Sequence, residues 1–359
     1  ELVRLLRLAR LEVDQPDGLD WKRDALASLG WKDLSKEEYE LCPPLILTGS
    51  DEMLAGPGLG QLIWLLNSGL PVKVLVLNTL DFGIAADPES ETSPQPTNNP
   101  RSNLSLLALA QRNAFVAQTS IADPVHLGET MLQALRFDGP ALIQAYAPSP
   151  TRHGFASDAT LEQAELAIAS RVLPLFRYDP SGVGVFGSRI SLDGNPQLSE
   201  TMVADADGDR RLTAADWAIG QRRFAAHFQA LGTDAATPVP LSDWLQLDAK
   251  GRDRKTPFLA VGDGEQEQRL SMSSAMIVMA EQRLQNWQTL QELAGIVTPF
   301  TEQLEQEIRA ELAAEHQAEL DAQKRASDEQ LLALKEKTEA EIASKIRSRL
   351  LDLASRKRG

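Results

Sequence analysis

The chain has a single cysteine, Cys42, among 359 residues. Internal disulfides are therefore impossible, and a cysteine-held zinc or iron–sulfur centre needs ligands from elsewhere. One cysteine fits a reducing compartment, so a cytoplasmic protein is expected. Lying just before Pro43-Pro44, Cys42 reads as buried and inert. A basic excess is also missing. Lys and Arg number 36 against 51 Asp and Glu, a net charge of −15. This argues against nucleic acid or an anionic membrane as partner, since both need a basic face. No apolar run approaches the roughly 20 residues of a membrane span, and no signal-peptide pattern is present. Histidines number four, and no nucleophile, histidine and acid set is suggested. The chain starts at Glu1, directly in an amphipathic pattern, and reads as a piece of a longer protein. What it does have is 43% apolar residues, ordinary for a globular protein and enough for a sizeable core.

Four regions follow from the patterning. Residues 1–42 form a polar, helical lead-in broken at Pro16-Asp17-Gly18. Residues 43–180 alternate short apolar runs with amphipathic stretches. Leu45-Ile46-Leu47, ending at Thr48-Gly49-Ser50-Asp51, reads as a buried strand feeding a loop. Gly56-Pro57-Gly58-Leu59-Gly60 makes a glycine-rich turn that opens a helix from Gln61 to Asn67, capped by Gly69. Strands are expected at 72–77, 114–118 and 141–146, with helices at 104–112, 124–137 and 159–175. A long polar loop at 83–103 reads as functional or disordered. Strands alternating with helices give an α/β fold with an open, doubly wound, mostly parallel sheet. Residues 181–298 are a mixed α/β extension, with a strand near 257–261 and a helix at 273–293. From Pro299 to about Ser355 neither Pro nor Gly interrupts a pattern rich in Glu, Ala, Lys and Leu. It is a long helix that is a coiled coil, a solvated single helix or a loose antiparallel hairpin. His316 and Lys324 interrupt its apolar seam.

Ligands of such sheets bind beyond the carboxyl ends of the strands. Asp51 ends the first strand, and Asn78-Thr79 end the second, 27 and 28 residues later. A carboxylate and neighbouring oxygens there can hold Mg²⁺ or Ca²⁺. The glycine-rich turn can receive a phosphate on free N–H groups. The alternative is that Asp51 caps a helix or turn and the glycines serve packing. Asp205, Asp207, Asp209 and Asp216 follow EF-hand loop spacing for Ca²⁺, but Arg210 stands where that loop needs glycine. An acidic turn leading into a helix at Thr213 is the competing reading. His153 is a weak catalytic candidate as an acid or base, or a structural histidine in a turn.

The run Gly49-Ser50-Asp51-Glu52, with Gly58-Leu59-Gly60-Gln61-Leu62, Ser68-Gly69, residues 72–79, Pro140 to Pro148 and His153-Gly154, resembles the C-terminal thiamine-diphosphate domain of pyruvate:ferredoxin (flavodoxin) oxidoreductases. The likeness covers roughly residues 45–180, and more faintly the helix near 280–295. It implies a thiamine-diphosphate-binding type of sheet. Asp51, Thr79 and the Asp81 carbonyl would hold Mg²⁺, and Gly58, Gly60 and Gln61 would lie near the cofactor. It also implies oxidation of a 2-oxoacid such as pyruvate, with electrons passing to a ferredoxin or flavodoxin. Three departures stand out. Glu52 replaces a glycine. Ile84 occupies the place of an asparagine at the reacting end of the cofactor. Ser149 stands where the family carries an iron–sulfur cysteine, so any cluster needs ligands outside this chain. The expected function is therefore a domain of a thiamine-dependent 2-oxoacid oxidoreductase-like protein. The alternative is a degenerate, inactive domain that serves assembly, docking a partner or a second copy through its C-terminal helix.

Overall fold

The computed structural model describes residues 2–14, 24, 26–42, 44–84, 103–205, 208, 210–232, 237–262 and 268–356. They divide into two compact units, residues 1–297 and 298–359.

The first unit is built on a six-stranded sheet. Strands β1 (Leu45–Ser50), β2 (Val72–Asn78), β3 (Phe115–Ser120) and β4 (Ala141–Tyr146) run parallel in the order β1-β2-β4-β3. Two short antiparallel strands, β5 (Phe176–Tyr178) and β6 (Ile190–Ser191), extend it beyond β3. The open, mostly parallel α/β sheet is thus as the patterning predicts. The inner strands are almost continuously buried, with apolar side chains through most of β2 and β4, because helices cover both faces. Asp123 caps the helix Pro124–Arg136, accepting from the His126 N–H at 2.8 Å, with Pro124 preset for the first turn. Lys73 is the exception within β2. It is buried, and its ammonium donates to the Phe137 and Gly139 carbonyls at 2.5 and 2.7 Å. Burial pushes it down to about 8.

Three local expectations need correction. The first strand is not buried: among the described residues it lies at the sheet edge and pairs with β2 alone, which leaves Leu45, Ile46 and Leu47 exposed. The helix expected to run to 175 spans Thr160–Ala169 and stops because Arg171 takes a left-handed φ of 61°. The helix after the glycine turn starts at Leu59, and a separate short helix, Asp51–Ala55, precedes it. Of the long polar loop, residues 85–102 lie outside the described residues, as does Pro16-Asp17-Gly18.

A second, four-stranded sheet follows: β7 (Phe228–Ala230), β8 (Pro238–Pro240), β9 (Thr256–Val261) and β10 (Gln268–Met272), in the order β7-β10-β9-β8. Its Leu259 packs in one cluster with Leu80, Tyr146, Trp217, Phe224 and Met276. That shared core lays the segment Arg222–His227 across the carboxyl ends of β2 and β4. The helix Ser274–Leu293 packs Trp287 and Leu290 against Phe176, Tyr178 and Ile190 of the sheet.

The second unit is one helix, Pro299–Arg356. Among the described residues, no helix is long and apolar enough to cross a membrane.

Candidate functional site

The strand ends bring Asp51, Thr79 and Asp81 together. Ser50 caps the short helix after β1 and points the next residue, Asp51, toward β2. The Asp51 Oδ1 accepts from the Thr79 N–H at 3.3 Å and the Thr79 hydroxyl at 3.2 Å. The same hydroxyl lies 3.4 Å from Asp81 Oδ2. Leu80 and Phe82, flanking Asp81, have φ of 56° and 51°. A bulky residue in the left-handed region costs roughly 1–3 kcal/mol, and such strain gathers at functional turns. Here it holds the Asp81 carboxylate over Thr79.

Two arginines that the sequence reading did not single out complete the cluster. Arg152 Nη2 is 2.6 Å from Asp81 Oδ2 and 3.9 Å from Glu52. Arg223 bonds the other Asp81 oxygen and donates to the Thr79 carbonyl at 3.1 Å. No spacing signal could have found them, because they lie 71 and 142 residues from Asp81. Burial lowers the Arg223 pKa, and Asp81 opposes that shift.

A hard cation can be tested against these groups. The oxygens of Asp51, Thr79 and Asp81 follow one another at 3.2 and 3.4 Å. That is long for hydrogen bonds between oxygens. It matches the roughly 2.9–3.4 Å between neighbouring oxygens around Mg²⁺ or Ca²⁺. Asp51 and Thr79 therefore fit a cation. Asp81 fits less well. Its carboxylate is held by two guanidiniums, and its carbonyl accepts from the Ile84 N–H at 3.2 Å. Among the described residues, no group of three or more His, Cys, Asp or Glu is placed to hold a metal.

Beside Asp51, Asn78, Gln118, Gln144, Arg283 and Asn286 line a crevice of about 70 Å³. That is space for a few waters rather than a cofactor-sized molecule. Arg283 comes from the helix Ser274–Leu293 and stacks on Phe82, 4.6 Å from its ring centre. Its Nε has no hydrogen-bond partner among the described residues. Burial pushes its guanidinium down to about 10.

The other candidates lie apart. Gly58 and Gln61 line an apolar groove with Leu47, Met53 and Trp64, on the far side of the Asp51–Ala55 helix. Gly60 has open space where a side chain would stand. Arg210 bridges Asp205 and Asp216, at 3.4 and 2.7 Å. Buried Asp216 also accepts from the Thr213 N–H and hydroxyl, an arrangement that starts the helix Ala214–Ile219. Asp207 and Asp209 lie outside the described residues. Ser149 caps the helix Pro150–His153, and Ile84 packs against the apolar cluster around Trp217.

His153 is fully buried. Its Nδ1 accepts from the Ser149 N–H at 3.3 Å, and its Nε2 has no hydrogen-bond partner among the described residues. Burial first, then Arg223, pushes it down to about 4. An unfolded histidine titrates near 6.5. Between those values the unfolded chain holds a proton that the folded chain refuses, so stability falls as pH drops from about 6.5 to 4. His153→Gln is expected to flatten the melting temperature against pH over that window. An unchanged slope would remove His153 as the source.

No protein-family model matches the chain. A pyruvate-flavodoxin oxidoreductase of Rhodospirillum rubrum is 28% identical over 198 residues, 52% of this chain and 16% of that protein. The ketoisovalerate oxidoreductase subunit VorB of Pyrococcus abyssi is 34% identical over 73 residues, 20% of this chain and 24% of that one. The pyruvate synthase subunit PorB of Methanosarcina barkeri is 34% identical over 80 residues, 22% of this chain and 27% of that one. The chain thus spans only 16–27% of the length of these three relatives. Among solved structures, a 2-oxoglutarate:ferredoxin oxidoreductase from Magnetococcus marinus matches at 20% identity over 29% of this chain and 38% of that one, with a TM-score of 0.25. At that score the match supports no comparison of folds. By sequence, this chain is similar, at a divergent level, to part of the pyruvate:ferredoxin (flavodoxin) oxidoreductases and of related 2-oxoacid oxidoreductases.

Proposed function

We propose that this chain is the cofactor-diphosphate unit of a 2-oxoacid:ferredoxin (flavodoxin) oxidoreductase-like protein. The observation that carries this reading is the contact of Asp51 with Thr79 across the ends of neighbouring parallel strands. Asp51 and Thr79 would hold Mg²⁺, and Arg152 would meet the negative charge of the diphosphate. Bound thiamine diphosphate supplies the nucleophilic carbon that attacks a 2-oxoacid carbonyl. This chain's own residues would anchor and orient the group. Ser149 and half-buried Cys42 offer no cluster site, so an iron–sulfur centre would rest on ligands outside the chain. A ferredoxin- or flavodoxin-type carrier would take the electrons.

A second reading is a degenerate domain kept for assembly. It is favoured by the two arginines on Asp81, the small crevice and the apolar setting of Ile84.

Melting temperature separates the two readings. At a hundredfold excess over its dissociation constant, a ligand stabilises the native state by about 2.7 kcal/mol. That corresponds to a rise of roughly 5–10 °C. The first reading expects this rise with thiamine diphosphate plus Mg²⁺ in the full-length protein, and its loss in Asp51→Asn. No rise at millimolar cofactor would overturn it and leave the assembly reading.

A further inference from the structure

The helix Pro299–Arg356 carries a pattern that the site does not use. Its large apolar side chains are exposed, among them Leu312, Leu320, Leu331, Ile342, Ile346 and Leu350. Leu320, Leu331 and Ile342 follow one another at 11-residue intervals. Eleven residues make three turns at about 3.67 residues per turn, so these three lie on one line along the helix. The line is symmetric about Leu331. Leu320 and Ile342 are equidistant from it.

The charge is antisymmetric about the same point. From Gln303 to Asp321 the charged residues are Glu305, Glu307, Glu311, Glu315, Glu319 and Asp321 against Arg309 alone. From Glu341 to Gly359, the mirror image of that stretch, they are Lys345, Arg347, Arg349, Arg356, Lys357 and Arg358 against Glu341 and Asp352. Part of this polarity suits the helix's own dipole, which favours acids early and bases late. The dipole acts only on the first and last turns, whereas the acidic and basic stretches each run for several turns.

We propose that this helix pairs with the same helix of a second copy, antiparallel, about a two-fold axis near Leu331. Leu320 then faces Ile342 of the second copy, and Leu331 faces its own twin. Each acidic third lies alongside a basic third. A two-fold pairing is self-complementary, as a closed dimer requires. A parallel pair would stack acid on acid and base on base, which like-charge repulsion opposes. His316 falls opposite Ile346, so this interruption of the seam meets an apolar partner rather than another polar group.

The test uses the full chain in a Cys42→Ser background. Sedimentation gives the mass, and a short bis-maleimide reports proximity of single cysteines. The proposal expects a dimer in low salt that weakens toward 1 M NaCl. Gln330→Cys should cross-link, because it lies beside the axis. Gln306→Cys should not, since its twin stands about 75 Å away at 1.5 Å per residue. Leu331→Glu should weaken dimerisation by roughly 100-fold or more, because it places a carboxylate in both copies at the centre of the seam. Its helix content, read by circular dichroism, should not change. A monomer in low salt, cross-linking at both positions, or a dimer indifferent to Leu331→Glu would each overturn the proposal.

Discussion

Arg223→Ala is expected to lower the melting temperature by roughly 6–10 °C. The guanidinium holds Asp81, the Thr79 carbonyl and Gln221, and packs 4.5 Å from the centre of the Phe224 ring. Its side chain is only 12% exposed, so little solvent screens the pair. Removing one partner of a buried ion pair costs about 3–5 kcal/mol. Arg152 remains on Asp81 and offsets part of this, so about 3 kcal/mol is expected. The same change frees Asp81 Oδ1 and removes a positive charge near Thr79, while Oδ2, the oxygen near the Thr79 hydroxyl, stays with Arg152. The variant should therefore gain a larger melting shift with Mg²⁺ or Ca²⁺ alone than the parent chain. Differential scanning calorimetry with and without each cation checks both effects. A loss of stability with no gain in cation response would mean that Asp81 is not poised as a ligand.

Trp287→Ala is expected to cost about 5 kcal/mol, close to the whole stability of a marginal domain. Trp287 is fully buried, and its Nε1–H donates to the Glu200 carbonyl at 2.9 Å. Its ring lies 3.9 Å from the Arg171 guanidinium carbon. Arg171 is itself buried, bonded to the carbonyls of Pro196, Gln197 and Glu200, and pushed down to about 10. No carboxylate pairs with it among the described residues. The indole face therefore stands in for a counter-charge, worth about 2 kcal/mol when desolvated. Trp287→Phe keeps a ring face and should cost about half as much. Chemical denaturation of both variants tests this, and a Trp287→Ala midpoint within 0.3 M urea of the parent, a small fraction of a typical midpoint, would refute it.

Where the sequence could be read, the reason was local. β4 begins and ends where its apolar run does, and the helix Pro124–Arg136 is announced by Asp123 and Pro124. The strand–helix alternation set the parallel direction of β1 to β4, because an intervening helix returns the chain to the same end of the sheet, whereas the order β1-β2-β4-β3 came only from the tertiary structure. β5 and β6 escaped notice, since strands of three and two residues are too short to show a period. The second sheet was foreseen only at β9, because Pro238 and Pro240 in β8 hide the strand signal.

The Asp51 and Thr79 pair was legible because both residues end parallel strands, and the ends of parallel strands share an edge. Its surroundings were not. Arg152, Arg223 and Arg283 reach the strand ends from three other elements, and an arginine in sequence looks like any solvated charge. The sequence by itself determined the α/β class, the edge where Asp51 and Thr79 meet, and the charge polarity of the last helix, since each depends on spacing along one chain. Tertiary structure alone decided that Asp81 is held by two guanidiniums, that His153 is buried and neutral, and that a helix more than two hundred residues away narrows the crevice beside Asp51. Burial and charge pairing are properties of packed neighbours, and no spacing rule encodes which distant residues those will be.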